Sequence, residues 1–183
     1  MPEPELASTE PNISSGTMVL LAAASGLIAA NIYYAQPLIG PISASLGLPP
    51  QAAGLIVTLM QVGYGAGLLL IAPLADLVEN RRLVLASIAL AAVGLLGAAV
   101  STEIAPFLIF GLLIGLGSVA VQVLIPLAAH LAPAATRGRI VGDVTTGLML
   151  GVMLARPVSS FIAASTSWRT VFFVGTEIGR AHV

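Results

Sequence analysis

Long apolar runs, broken by a few polar clusters, make up most of the chain. Between Glu10 and Asp76 lie 65 consecutive residues without an Asp, Glu, Lys or Arg. A bilayer core about 30 Å thick takes ~20 apolar residues per helical span, so this stretch has room for two spans and a short turn. The first predicted helix covers residues 17–46, with Pro37 and Pro41 near its far end, and Pro49-Pro50 marks a tight loop. The second covers 51–75 and is followed by the polar cluster Asp76, Glu79, Asn80, Arg81 and Arg82. A third covers 83–102, with Glu103 and Pro106 as punctuation, and a fourth covers 105–129. The segment HLAPAATRGR, 130–139, is a predicted loop, a fifth helix covers 140–164, and a sixth starts near Trp168. Nine residues, 168–176, precede the final EIGRAHV. They rise about 14 Å, roughly half the bilayer core, so the sixth helix is expected to be cut short.

Composition points the same way. The 183 residues are 57% hydrophobic with a mean hydropathy of +1.02, and 8% are charged, against roughly 25% in an ordinary soluble domain. A soluble surface cannot be built from so few charges. The class is an all-α polytopic membrane protein, with the lipid bilayer as its first partner. The absence of cysteine excludes a disulfide framework or a thiolate metal site. Net charge is −1, all seven basic residues are Arg, and nothing points to nucleic acid. Residues 1–16, MPEPELASTEPNISSG, lack the basic region of a cleaved signal peptide. They read as a short disordered tail, and the Asn12-Ile13-Ser14 sequon in it as chance.

The arginines set an orientation. Arg81 and Arg82 lie in the 2–3 loop, Arg137 and Arg139 in the 4–5 loop, and Arg169 on the opposite side. The positive-inside rule then places the first four, and the N-terminus, in the cytoplasm. Glycines recur at packing spacing in the pairs Gly63–Gly67, Gly111–Gly115 and Gly147–Gly151. Each pair puts two glycines on one helix face, where backbones approach closely. They serve either plain packing or seams that slide during transport.

No catalytic constellation is visible: no HExxH, no Gly-x-Ser-x-Gly, no phosphate-binding Gly-rich loop and no Asn-Pro-Ala pore signature. A metal or cofactor is not expected, and His130 reads as an interfacial residue. Polar residues within the spans are the stronger signal. Asn31 and Tyr34 share one face of the first helix, and Tyr33 and Gln36 a neighbouring one; Gln61 and Tyr64 follow on the second, Ser118 and Gln122 on the fourth. Unmet polar groups in hydrocarbon cost several kcal/mol. The set Asn31, Tyr34, Gln36, Gln61, Tyr64 and Gln122 therefore either glues helices together or lines a cavity. Arg156 lies 13 residues after Asp143 on the fifth helix, about 20 Å of rise and about 220° of rotation away, so the two cannot pair. A guanidinium in a span faces the bundle interior or water, or snorkels to the interface. Facing a cavity, Arg156 could bind an anionic group or bias a carboxylate; the mostly neutral remainder suits neutral or amphiphilic solutes.

Three stretches resemble the major facilitator superfamily, and in particular its proton-coupled, drug-efflux-like members. NIYYAQPLIGPIS, 31–43, resembles the Asn-x-Tyr-Tyr-x-Gln-Pro-Leu signature of one bacterial branch. APLADLVENRR, 72–82, resembles the superfamily's loop motif Gly-x-x-x-Asp-Arg-x-Gly-Arg-Arg. RGRIVGDVTTGLMLGVMLARPVSSF, 137–161, with WRTVFF after it, is similar to the 4–5 loop, the Gly-rich fifth helix and the opening of the sixth. The motif's first Gly is Ala72 here, its Arg after the Asp is Leu77, its inner Gly is Glu79 and its first basic residue is Asn80. Arg156-Pro157 stands where efflux members often carry Gly-Pro.

The resemblance covers residues 17–176 and implies the N-terminal six-helix half of a twelve-helix transporter. The fold would be two inverted three-helix repeats, with a missing C-terminal half closing a midplane site for a small-molecule substrate. It implies proton-coupled export of a small organic solute or drug across a bacterial inner membrane. It also implies a cytoplasmic charge latch around Asp76, Arg81 and Arg82, with Arg137, Arg139 and Asp143 from the 4–5 region. The final heptapeptide resembles read-through of a widely used sequencing adapter, so residues 177–183 are expected to be non-native and the natural gene to continue. A non-transporting assembly subunit that pairs with another half is the alternative. A membrane enzyme lacks any acid, base or metal cluster to work with.

Overall fold

A computed structural model describes residues 15–180, and among them every regular element is helical. Helix is the conformation in which an apolar segment satisfies its own backbone groups inside a membrane. Four stretches are long and apolar enough to cross one: Pro50–Asp76, Asn80–Val100, Ile104–Leu131 and Arg137–Ser165.

The first predicted span is broken rather than continuous. Helix α1 (Ser15–Ala30) runs into turns over residues 31–35, a 3₁₀ turn at Gln36–Leu38, and then α2 (Ile39–Leu46). Pro37 has no N–H to give the Tyr33 carbonyl, which accepts instead from the Gln36 N–H at 3.3 Å. The same three-residue step links Asn31 to Ile28, Ile32 to Ala29 and Tyr33 to Ala30. Gly47 ends α2 at φ 71°, a left-handed cap that suits glycine, and the Leu48 N–H closes on the Ser43 carbonyl at 2.9 Å.

The second span is α3 (Leu55–Leu70), flanked by 3₁₀ turns at Pro50–Ala52 and Ala72–Asp76. The third is α4 (Asn80–Val100). The fourth is kinked at Val119 into α5 (Ile104–Ser118) and α6 (Ala120–Leu131). Ser118 Oγ donates to the Ile114 carbonyl at 2.7 Å, a back-bond that bends helices, and Pro126 leaves a further gap in the α6 ladder. The fifth, α7 (Arg137–Ser165), begins inside the predicted loop, because RGR holds no helix breaker stronger than Gly138. The sixth, α8 (Trp168–Arg180), starts at the predicted tryptophan. Residues 1–14 of the expected tail lie outside the described residues, while Ser15 and Gly16 already belong to α1. Of the expected non-native segment, 177–180 continue α8 and 181–183 lie outside the described residues.

Packing runs mainly through four helix pairs: α1 with α7, α3 with α5, α4 with α5, and α4 with α8. Glycine makes the first three possible. On the α3–α5 seam, a Cβ on Gly63 would overlap the Leu112 carbonyl, and one on Gly115 would overlap the Met60 carbonyl. On the α1–α7 seam, Gly26 lies against Gly147 and Gly151, and Gly147 against the Ala22 carbonyl. The glycine pairs of the sequence thus sit at backbone-to-backbone contacts, except that Gly111 meets the Met60 side chain. Within lipid such close approach supplies the attraction that the hydrophobic effect cannot.

The largest apolar core joins Leu38, Ile42 and Ile56 to Phe107, Trp168 and Phe172. The last three rings meet edge-on at centroid distances of 5.6–5.9 Å, the arrangement aromatic quadrupoles favour. Burial falls off toward the flanks. In the most apolar part of α7, 11% of residues are buried within the molecule, against 56% for the α5–α6 span, so α7 presents most of its surface outward. Met149, Met153 and Phe161 are among the large side chains exposed there.

Candidate functional site

The break in the first span rephases the side chains beyond it. At three residues per turn, positions i and i+3 eclipse, so Tyr33 and Gln36 project together while Tyr34 turns the other way. Gln36 Oε1 accepts from Arg156 Nε at 2.8 Å. The Arg156 guanidinium carbon lies 5.6 Å from the Tyr33 ring centroid, within cation–π range. Arg156 precedes Pro157 in α7 and stands nine residues before the helix ends, about 14 Å along its axis. An arginine at that depth costs at least ~2.5 kcal/mol on insertion scales, and the amide and ring beside it offset part of that cost. Among the described residues Arg156 has no acidic partner.

One and two helical turns earlier on α7, Val152 and Leu148 help line a cavity of about 100 Å³ with Tyr33, Gln61, Tyr64 and Gln122. The Gln122 side-chain amide donates to the Tyr64 phenol oxygen at 2.7 Å, which leaves the phenol hydrogen available to a third group. Tyr33 touches both regions, so the cavity and Arg156 form one polar face. Gln61, Gln122 and Arg156 are exposed, and Tyr33, Gln36 and Tyr64 are half-buried. The face therefore opens outward from the bundle.

Two expected members lie elsewhere. Asn31 and Tyr34 are 8% and 7% exposed, and Tyr34 belongs to the main apolar core. A Cβ on Gly175 of α8 would come within 3.2 Å of the Tyr34 ring, so that side chain fills a helix interface rather than a cavity. Tyr33 takes the cavity position. The signal for it was its i,i+3 relation to Gln36 ahead of Pro37. No cluster of three His, Asp or Glu side chains suited to a metal ion occurs among the described residues.

The loop charges pair more locally than the latch expectation had them. Arg82 Nε reaches Glu79 Oε2 at 2.9 Å, and Arg139 Nε lies 3.9 Å from Asp143 Oδ2. Asp76, Arg81 and Arg137 are exposed and make no ion pair among the described residues. Exposed pairs of this kind are worth under ~1 kcal/mol. Arg169, on the opposite loop, is better held. Its Nη1 donates to the Ala99 carbonyl at 3.0 Å and the Ser101 carbonyl at 2.6 Å, and its guanidinium lies 4.2 Å from the Trp168 ring centroid. It thereby satisfies carbonyls at the C-terminal end of α4 that the helix cannot.

An all-helical bundle with membrane-length spans, glycine seams and a polar face open on one side defines a polytopic membrane protein. The Major Facilitator Superfamily pattern matches residues 21–177, and the chain belongs to that family; its fold is the N-terminal half of the family's fold. It is 45% identical over 172 residues to an uncharacterized transporter of Escherichia coli K12, YgaY, covering 93% of this chain and 44% of that protein. It is 40% identical over 159 residues to the Streptomyces coelicolor transporter SCO4007, covering 87% and 37%. It is 30% identical over 175 residues to a 3-(3-hydroxy-phenyl)propionate transporter of Escherichia coli K12, covering 94% and 42%. The chain thus spans less than half the length of these relatives. The family and the names of these relatives point to transport rather than catalysis.

Proposed function

We propose that the chain forms the N-terminal wall of a secondary transporter that carries a small organic solute by alternating access. A C-terminal half would supply the opposite wall. The observation that carries this reading is the polar face of Tyr33, Gln36, Gln61, Tyr64, Gln122 and Arg156, which opens away from the packed core. Transporter sites form at repeat interfaces near the midplane, commonly beside discontinuous helices, and the first span is discontinuous where it meets this face. The reading extends to proton-coupled export across a bacterial inner membrane, with the N-terminus cytoplasmic. The resemblance to the efflux branch and the arginine asymmetry support it. The face carries no carboxylate among the described residues, so the proton-carrying group belongs to the C-terminal half in this reading. One relative is named for a hydroxylated aromatic acid, a solute of the size class proposed.

Flux measurement tests the reading. The full-length protein in proteoliposomes should accumulate or release solute in response to an imposed pH gradient, and Gln61→Ala with Gln122→Ala should reduce the rate. The 183-residue chain alone should give none. Solute-dependent flux from that chain alone would overturn the half-transporter reading. A full-length protein that assembles with partners yet passes no solute would favour an assembly subunit.

A further inference from the structure

We infer that the solute is a small organic carboxylate, docked end-on against the two Nη groups of Arg156 with its far end in the Tyr64–Gln122 cavity. The inference rests on the transporter reading and adds the chemical class of the solute.

Three observations carry it. First, the guanidinium is already oriented: Gln36 Oε1 holds Nε at 2.8 Å and the Tyr33 ring flanks the group at 5.6 Å. With Nε engaged, the side-on edge is occupied and the Nη1–Nη2 edge remains. Neither Nη makes a hydrogen bond to a described residue. That free edge is the fork that grips a carboxylate through two parallel bonds.

Second, the charge is uncompensated. Among the described residues no Asp or Glu pairs with Arg156, and the amide and ring beside it are neutral. On this wall an anion meets one fixed positive charge and, among the described residues, no negative one.

Third, the neighbouring cavity offers only neutral polar groups. Tyr64 accepts from Gln122 at 2.7 Å and retains its own hydrogen to donate, and Gln61 lies on the same lining. Val152 of that lining precedes Arg156 by four residues, about 6 Å along the helix. A molecule with a carboxylate at one end and a hydroxyl or carbonyl one ring away spans this gap. Tyr33 borders both ends and offers a stacking surface between them.

The test uses the full-length transporter in nanodiscs, with a reporter introduced as Val152→Cys, since this half has no native cysteine. Maleimide labelling is timed with 4-hydroxybenzoate, benzoate or the uncharged 4-hydroxybenzamide. The acids should slow labelling at least tenfold, and the amide should not. Arg156→Lys keeps the charge and loses the planar fork, so it should raise the half-protecting acid concentration about tenfold. Arg156→Gln should abolish protection, and Gln36→Leu should weaken it several-fold by freeing Nε. Each variant is first checked for an unchanged labelling rate without ligand. Equal protection by acid and amide, protection that survives Arg156→Gln, or no protection by either acid would overturn the inference. A protein that carries neutral solutes but ignores the acids would lose the carboxylate assignment and keep the transporter reading.

Discussion

Gln122 and Tyr64, 58 positions apart in the chain, meet across the cavity through one hydrogen bond of 2.7 Å from amide to phenol. The bond ties α6 to α3 at the open face. A neutral hydrogen bond adds about 1 kcal/mol net, and less where water can replace it. Tyr64→Phe should therefore lower the melting temperature little while reducing transport several-fold, because a solute in the proposed site would lose the phenol hydrogen. A large loss of folded protein with normal flux per molecule would show that the pair is structural glue.

The glycine seams give the sharpest contrast in stability. Gly115→Ala places a methyl against the Met60 carbonyl, and forced overpacking costs about 1–3 kcal/mol. Gly65 has nothing within 4 Å of its hypothetical Cβ, so Gly65→Ala should stabilise by up to ~1 kcal/mol through helix propensity. Thermal melting of the two purified variants decides the point; equal melting temperatures would contradict the seam.

Arg169 is expected to matter for folding more than for transport. Hydrogen bonds from a charged donor are worth about 1.5–3 kcal/mol, and partial exposure here lowers the figure. Arg169→Ala should destabilise by about 1 kcal/mol or more, since it frees the Ala99 and Ser101 carbonyls and uncovers one face of Trp168. Denaturation monitored by Trp168 fluorescence reads the local change directly, and an unaltered midpoint would refute the clamp.

Asp76 should behave in the opposite way. It makes no ion pair among the described residues, so Asp76→Asn should change folded yield and melting by less than about 0.5 kcal/mol. If the charge serves a latch formed in another conformation, transport should still fall severalfold. Normal transport in the variant would remove Asp76 from the mechanism.

Topology is checked by paired cysteines. Glu103→Cys should react with an impermeant maleimide only from outside, and Arg137→Cys only from the cytoplasmic side, as the arginine asymmetry requires. Labelling of residue 103 from the cytoplasm alone would reverse the orientation.

The spans were legible because their signal is length and polarity, which few competing interactions disturb. Trp168 opens α8 as expected, and the Gly63–Gly67 and Gly111–Gly115 pairs meet across one seam. The breaks at residues 31–38 and at Val119 leave no mark in length or polarity; Pro37 and the Ser118 back-bond account for them. The first break also decides which side chains reach the site. A helical wheel at 3.6 residues per turn gives Tyr33 and Tyr34 similar standing, whereas a 3₁₀ step of about 120° per residue sends one to the cavity and the other to the core. Boundaries near charges also moved. Arg137 and Arg139 belong to α7, because an exposed arginine continues a helix as readily as it ends one. The pairing of Arg82 with Glu79 rather than Asp76 is a short-range i,i+3 preference.

The seams also divide the chain into positions that can and cannot change. At Gly26, Gly63, Gly115, Gly147 and Gly151 a neighbouring backbone occupies the space of any side chain, so a substitution must displace a whole helix. Gln61, Gln122 and Arg156 belong to none of the three apolar cores. Exchanging one of them alters what the face can hold without repacking the helices behind it. If the face binds the solute as proposed, solute preference can drift by single substitutions between descendants of one scaffold while the helix packing behind it stays fixed.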